Sequence, residues 1–174
     1  MTEGPLDDVK IVEVANWLAA PGAAAMMADM GADVVKIEPP NGDFYRGYMQ
    51  AGNDDLNYNF ELENRGKRSV TVDLRVPAGA EVVKRLCADA DIFLTNLVPE
   101  RYERYGVGYD AIREANPRIV YAALTGYGTV GPNANKPGFD ASAFWAASGI
   151  MDVMGSDPTV PVHSRGGQGD HPTA

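Results

Sequence analysis

The residue types best suited to chemistry are few, and two histidines stand out among them. His163 and His171 lie eight positions apart with no cysteine nearby, so they do not predict a metal site. His171 directly follows Asp170, but side chains adjacent in sequence usually point apart, so the pair does not predict a catalytic dyad. No Gly-x-Ser-x-Gly motif is present to indicate a serine nucleophile. The reactive residues alone therefore indicate no particular reaction.

Some of the basic residues follow predicted strands. Arg75 comes just after one strand, and Arg101 and Arg104 lie on a short helix that follows another. Most arginines are solvated surface charges. Ligands of open α/β sheets, however, bind at the carboxyl ends of the strands. Arg75 and Arg104 therefore lie where a phosphate-bearing cofactor is expected.

The loop after the first strand lacks the glycines of common nucleotide-binding motifs. It reads Ala-Asn-Trp-Leu-Ala-Ala-Pro-Gly over residues 15–22. Neither a Gly-x-Gly-x-x-Gly fingerprint nor a P-loop is present there. This absence argues against an ordinary nicotinamide-dependent dehydrogenase.

Alternating strands and helices must position these residues. Hydrophobic runs predict strands at 9–14, 33–38, 69–73, 91–95 and 119–124. Helices are predicted from Pro21, Pro77, Pro99 and Tyr109, each between two strands or near one. This order predicts an α/β fold, with a Rossmann-like, mostly parallel sheet and flanking helices.

Three segments do not fit this alternation. Residues 41–64 are polar and rich in turn formers, which predicts a long irregular excursion over the surface. Asp140 is placed to cap a helix that runs through Ala147. Residues 166–174 are expected to contain no closing element.

Composition and charge exclude several classes of function. The 174 residues are 45% hydrophobic and carry a net charge of -9, which argues against binding to nucleic acid or an anionic membrane. Cys87 is the only cysteine, so no disulfide framework is expected. No secretory segment and no membrane-spanning run is visible in the sequence. The cytoplasm is the expected compartment.

Several sequence blocks, in order along the chain, resemble the class III CoA-transferase family of the CaiB/BaiF type. The strongest are Gly-Ala-Asp-Val-Val-Lys-Ile-Glu-Pro-Pro at 31–40 and Asn-Arg-Gly-Lys-Arg-Ser-Val-Thr-Val-Asp-Leu at 64–74. Further blocks lie at 5–13, 20–22, 42–43, 46–47, 90–91, 96, 116–121, 126–128, 131–132, 137–140 and 169–170. The family includes formyl-CoA and carnitine CoA-transferases and α-methylacyl-CoA racemases.

The resemblance implies a catalytic aspartate at Asp170, acting as a nucleophile that carries first the acyl group and then CoA. No permanently bound cofactor is implied, since coenzyme A and acyl-CoA are substrates, and a carboxylic acid is the acceptor. Where some members have an arginine, this chain has Pro39, and Lys136 is a candidate to replace a nearby family lysine. The positions that match CoA-contacting residues of the family are Leu18, Ala19, Val72, Arg75, Asn96, Leu97 and Arg104.

One departure from the family pattern bears on the reaction. Racemases of the family carry histidine in a Gly-His-Asp sequence, whereas this chain has Gly138-Phe139-Asp140. Phenylalanine cannot transfer a proton, so transferase is favoured over racemase or isomerase. Asp140 is expected to act as a helix cap rather than near the catalytic centre.

A second departure is length, since family members are roughly twice this size or more and exceed one ordinary domain. Residues 1–174 are interpreted as an N-terminal α/β CoA-binding domain, part of the large domain of an interlocked homodimer. The second domain and the return segment are absent from this sequence. An inactive CoA-binding fragment therefore remains an alternative to an enzyme, with a nicotinamide oxidoreductase the least favoured.

Overall fold

A computed structural model describes residues 4–48, 56–155, 157, 159–162 and 166–174. Five strands form one sheet in which every neighbouring pair is parallel. Their spatial order is β3-β2-β1-β4-β5, so the chain runs outward from β1 in both directions. The predicted Rossmann-like α/β fold is confirmed. The strands are β1 (Lys10–Val14), β2 (Asp33–Glu38), β3 (Arg68–Thr71), β4 (Ile92–Thr95) and β5 (Val120–Ala123).

Helices connect these strands and continue beyond the last one. The α-helices are α1 (Ala19–Asp29), α2 (Tyr58–Asn64), α3 (Pro77–Cys87), α4 (Pro99–Arg104), α5 (Tyr109–Ala115), α6 (Ile150–Val153) and α7 (Asp170–Thr173). A 3-10 turn spans Phe44–Gly47, and a π-helix spans Asp140–Ala147. Pro77 and Pro99 lie in the first turns of α3 and α4, as the sequence predicts.

The central strands β1, β2 and β4 are buried on both faces, with successive side chains pointing to opposite faces, whereas the edge strand β3 is exposed. Val12, Val35 and Phe93 belong to one apolar cluster, together with Val83 of α3 and Ile112 of α5. An adjacent residue on each of these strands points to the opposite face of the sheet, into a second cluster with Ala20 and Ala24 of α1. That opposite set is Ile11, Val34 and Leu94. Continuous hydrophobic strands are therefore required here.

The prediction of an irregular excursion over residues 41–64 is wrong where α2 forms. Asn57 caps this helix, because its side-chain oxygen accepts hydrogen bonds from the backbone nitrogens of Asn59 and Phe60. The Asn57 amide nitrogen also donates to the carbonyls of Tyr45 and Tyr48. One buried asparagine thus ties the helix to the 3-10 turn. Residues 166–174, expected to contain no closing element, hold the short helix α7.

Candidate functional site

A cavity of about 680 Å³ opens at the carboxyl edge of the sheet. It lies between the loops that follow β1 and β4, the neighbouring strands from which the chain departs in opposite directions. Open α/β sheets bind ligands at this point, because the two loops separate there and leave a crevice. The segment after β2, the π-helix, the loop after β5 and two residues of α7 also line it.

The loop after β1 holds a residue in an unusual backbone conformation. Trp17 has a φ of 69°, and among the residues that the structure describes it is the only non-glycine with a positive φ. The Trp17 backbone nitrogen lies 3.4 Å from Asp43 Oδ1, and its ring packs on Phe44, Tyr48 and Phe139. Such strain persists only where surrounding contacts impose it. The aromatic wall of the cavity is therefore held in place by the Asp43 carboxylate and by ring packing.

The loops after β1 and β4 are joined by Asn96. Its side-chain oxygen accepts from the backbone nitrogen of Asn16 at 3.0 Å, and its amide nitrogen donates to the Asn16 carbonyl at 2.6 Å. This side chain satisfies both backbone groups of one residue, as a neighbouring strand would. Asn96 thereby fixes the separation of the two loops. It lines the cavity together with Leu97, Leu18 and Ala19.

Three other residues matched to CoA contacts lie outside the lining of this cavity. Val72 is buried in the core, and Arg75 is exposed with its guanidinium on Asp73 at 2.8 Å. Arg104 lies on α4 above the ring of Tyr105. Arg101, one turn earlier on α4, is the basic residue that lines the cavity.

Asp170 is half-buried, and it lines the same cavity as Leu18 and Ala19. Burial raises the pKa of the Asp170 carboxyl, and the nearby charge of Asp140 raises it further. The charge of His171 acts in the opposite direction. A carboxyl group in this environment is less hydrated than at the surface and is better suited to act as a nucleophile.

Asp140 is not the helix cap that the sequence predicts. Phe139 occupies the cap position, and the buried Asp140 side chain reaches across to the segment before α7. Its Oδ1 accepts from the backbone nitrogens of Gly169 and Asp170, the latter at 3.1 Å. These backbone donors hold the carboxylate more firmly than its own helix end would. Asp140 therefore positions the backbone of Asp170.

Two glycines are required where loops meet at the cavity. A Cβ at Gly126 would lie 2.5 Å from the Cα of Gly138, because the two backbones are in direct contact. A Cβ at Gly169 would overlap the ring of Phe144 and lie 2.6 Å from Asp140 Oδ1. Side chains at these positions would push the walls apart. Gly169, which directly precedes Asp170, thus provides close packing rather than flexibility alone.

A buried ionic cluster lies behind the loop of Trp17, and the sequence reasoning missed it. The Lys36 ammonium lies 2.8 Å from Glu13 Oε1 and 2.9 Å from Asp43 Oδ2, and it donates to the Ala15 carbonyl. Lys67 binds the other oxygen of Glu13 at 2.8 Å. Burial acts to lower the pKa of Lys36, but Glu13 and Asp43 outweigh it and the pKa is raised. The cluster therefore supplies the charge that keeps Asp43 on the backbone of Trp17.

A second carboxylate, Glu38, anchors the turn that follows β2. Its oxygens accept from Arg46 at 2.7 Å on both sides, from Ser69 and from the Asp43 backbone nitrogen. Burial alone would raise the pKa of Glu38, but the Arg46, Ser69 and Asp43 hydrogen bonds together lower it to about 2. The ionised form is therefore built into this wall of the site.

We expect Glu38→Gln to lower the melting temperature of the full-length protein by several degrees at pH 7. A carboxylate with a lowered pKa stabilises the fold above its unfolded value of 4.5 and loses that contribution as pH falls towards 2. Calorimetry from pH 7 to pH 3 should show the gap between wild type and variant narrowing below about pH 5. A gap that stays constant over this range would contradict the expected charge state.

Among the described residues, no group of three or more His, Cys, Asp or Glu side chains could hold a metal ion. His163 lies outside the described part of the chain. In the same part of the chain, no helix has the length and apolar character needed to cross a bilayer.

The comparisons with known proteins agree on one family. The model of CoA-transferase family III matches residues 6–174. The (R)-2-hydroxy-4-methylpentanoate CoA-transferase of Clostridioides difficile is 38% identical over 95% of this chain and 43% of its own length. The cinnamoyl-CoA:phenyllactate CoA-transferase of Clostridium sporogenes is 38% identical, with 94% and 40% covered. This chain thus spans less than half the length of either protein.

Solved structures give the same result for the fold. A CaiB/BaiF family protein from Brucella suis superposes with a TM-score of 0.87 at 35% identity. The match covers 98% of this chain and 46% of that protein. A hypothetical protein from Mycobacterium tuberculosis superposes with a TM-score of 0.86 at 33% identity, covering 98% of this chain and 47% of its own.

Proposed function

The chain belongs to CoA-transferase family III, and from this premise we propose that Asp170 is the nucleophile of a CoA-transferase. The enzyme would move CoA from an acyl-CoA thioester to a carboxylic acid through intermediates bound to this aspartate. The observation that carries the proposal is the position of the Asp170 side chain. It lies half-buried on the wall of the cavity at the sheet's switch point, where α/β folds bind their ligands.

The chemistry requires only a carboxylate and the two substrates. Asp170 attacks the thioester carbonyl, the CoA thiolate leaves, and a mixed anhydride forms. The thiolate then attacks the aspartyl carbonyl of that anhydride, which releases the donor acid and leaves an aspartyl-CoA thioester. The acceptor carboxylate attacks this thioester to give a second anhydride and free thiolate. Attack of the thiolate on the acceptor acyl carbon produces the new acyl-CoA and restores Asp170.

The surrounding residues support this sequence of steps by position. Asp140 holds the backbone of Gly169 and Asp170, so the carboxylate keeps one orientation through several attacks. We assign the CoA thioester end to the cleft beside Leu18, Ala19, Asn96 and Leu97, which lines the same cavity as Asp170.

The nucleotide end of CoA is assigned to the surface outside the cavity. Arg75 and Arg104 are exposed cations on that surface. Val72, three residues before Arg75, is buried in the core. Arg101 lies at the cavity itself and offers a further positive charge on the path between the two ends. Phosphate binding at these residues rests on the family resemblance and on their charge.

The proposal extends to the whole protein. Residues 1–174 would form the N-terminal CoA-binding domain, and the full-length protein would be a cytoplasmic homodimer. The family resemblance supports both the CoA-binding domain and the homodimer. The single cysteine agrees with a cytoplasmic protein.

The racemase alternative is not adopted, because a second base beside Asp170 is lacking at the position the family uses. Phe139 lines the cavity there, with its ring against Trp17. A racemase would also exchange the substrate's α-proton with deuterated water in the absence of an acceptor acid, and we expect no such exchange.

The test is covalent trapping in the full-length protein. A panel of acyl-CoA donors is incubated with it, with and without acids such as phenyllactate or glutarate, and then quenched with hydroxylamine. We expect mass spectrometry to find a hydroxamate at Asp170 with at least one donor. A protein that transfers CoA but carries no label at Asp170 would refute the proposed nucleophile.

A further inference from the structure

His171 is held by hydrogen bonds at both ring nitrogens. Nδ1 lies 2.6 Å from the carbonyl oxygen of Gly167, and Nε2 lies 2.9 Å from Glu63 Oε1. A carbonyl oxygen can only accept, so Nδ1 must carry a hydrogen. An ionised Glu63 carboxylate also accepts, and Nε2 must then donate as well. A histidine that donates from both nitrogens is the imidazolium cation.

The surroundings of this pair are shaped to keep it together. Glu63 is buried on α2, and a Cβ at Gly22 of α1 would lie 2.7 Å from its second oxygen. Gly167 has a φ of 87°, and a Cβ there would approach the His171 ring to 3.4 Å. Gly22 therefore leaves the space that the Glu63 carboxylate occupies, whereas the His171 side chain remains 54% exposed. The pair fastens α7 to α2 and so fixes the residue next to Asp170.

We propose that His171 is a positioning residue whose imidazolium charge, fixed by Glu63, keeps the neighbouring Asp170 carboxylate ionised inside the cavity. The proposal rests on the assignment of Asp170 as nucleophile. A protonated carboxyl cannot attack a thioester, so a buried aspartate needs a nearby positive charge to remain reactive. His171 supplies that charge without itself contacting the substrate.

The charges that face His171 act in a consistent way. Glu63 of α2 and Asp170 of α7 act on His171 itself, whereas Asp140 of the π-helix and Tyr45 of the 3-10 turn lie near Asp170. The hydrogen bond to Glu63 raises the pKa of His171, with burial opposing it and Gly167 assisting. The cation is therefore complete below the ordinary pKa of 6.5 and is lost only as pH rises through the higher folded value.

The effect on Asp170 runs the other way. Burial, Asp140 and Glu63 raise the pKa of Asp170, whereas the charge of His171 lowers it. Loss of the imidazolium would leave Asp170 among carboxylates with no described counter-charge of its own. The fraction of ionised nucleophile would then fall most at low pH, where it is already limiting.

Two NMR titrations of the full-length protein test this independently of turnover. Nitrogen-15 shifts of the His171 ring should show both nitrogens protonated at pH 6, and Glu63→Gln should move the titration to lower pH. Carboxyl carbon-13 shifts of Asp170 should titrate at higher pH in His171→Gln than in wild type. A neutral wild-type ring at pH 6, or an Asp170 titration unmoved by His171→Gln, would overturn the proposal.

A kinetic readout separates charge from mere structure. Glutamine keeps a hydrogen-bond donor but no charge, so His171→Gln should slow single-turnover acylation of Asp170 at least about twofold at pH 6 and less at pH 8. Equal slowing at every pH would indicate a structural role only. Asp110→Asn, an exposed change on α5, serves as the matched control. If wild type forms no acyl-aspartate at any pH, the proposed function fails, whereas the titrations still decide the charge of His171 and its effect.

Discussion

Replacing Asp170 with asparagine in the full-length protein is expected to lower CoA transfer at least about a thousandfold, the scale on which loss of a nucleophile acts. The amide has the size of the carboxylate, but it cannot attack a thioester to form an anhydride. The backbone hydrogen bonds from Gly169 and Asp170 to Asp140 are unaffected, because they involve no atom of the replaced side chain. Acyl-CoA affinity should therefore stay near the wild-type value.

The measurement is steady-state transfer together with calorimetric binding of CoA. Asp170→Ala is tested in parallel, because an asparagine that deamidates would restore some activity. Asp110→Asn on the surface of α5 makes the same chemical change away from the cavity and should leave transfer unchanged. Retention of more than about a tenth of wild-type kcat in the alanine variant would assign the chemistry to another residue.

The fold could be predicted from the sequence because its signals are local. Hydrophobic runs of strand length repeat in a regular order, and two of them are followed by a proline at a helix start, Pro77 and Pro99. Parallel strands buried on both faces must be apolar throughout, which makes them conspicuous. The helix α2 was missed because its neighbourhood is polar and its cap, Asn57, looks like any turn residue until its partners at Tyr45 and Tyr48 are known.

The site was only partly predictable because its decisive contacts join distant segments. The residues next to Asp140 in sequence suggest a helix cap. Its hydrogen bonds from Gly169 and Asp170, however, join positions 29 and 30 residues apart. Adjacent residues usually point apart, and the sequence therefore gave no reason to link His171 with Asp170. The charge of His171 acts on Asp170, and the ring that carries this charge is held by Glu63, more than a hundred positions away.

The buried ionic cluster left a signal that was available. Glu13 and Lys36 are charged residues flanked by apolar neighbours inside their strands, and the sheet pairs them directly across β1 and β2. Aligning the two predicted strands side by side would have placed opposite charges together. The contributions of Asp43 and Lys67 come from loops, and no strand pattern predicts them.

We expect Lys36→Met to destabilise the full-length protein by roughly 3–5 kcal/mol, the usual cost of removing one partner from a buried ion pair. The Lys36 ammonium is almost fully buried between Glu13 and Asp43, which are themselves inaccessible to solvent. Without it, the two carboxylates would be left with Lys67 as their described buried cation. Methionine has nearly the same length, so the change removes charge rather than volume.

The consequences of Lys36→Met should reach the cavity, since Asp43 holds the backbone of Trp17. The melting temperature and the urea midpoint measure the stability of the fold. The affinity for CoA reports whether the cavity wall at Trp17 is intact. Lys10→Met removes an ammonium from the exposed pair with Asp89 and should be close to neutral. Adding Glu13→Gln to Lys36→Met removes one of the two carboxylates that then share Lys67 and should recover part of the loss. A Lys36→Met protein as stable as wild type would show that the cluster contributes nothing net. In that case the positive φ of Trp17 must be imposed by aromatic packing alone.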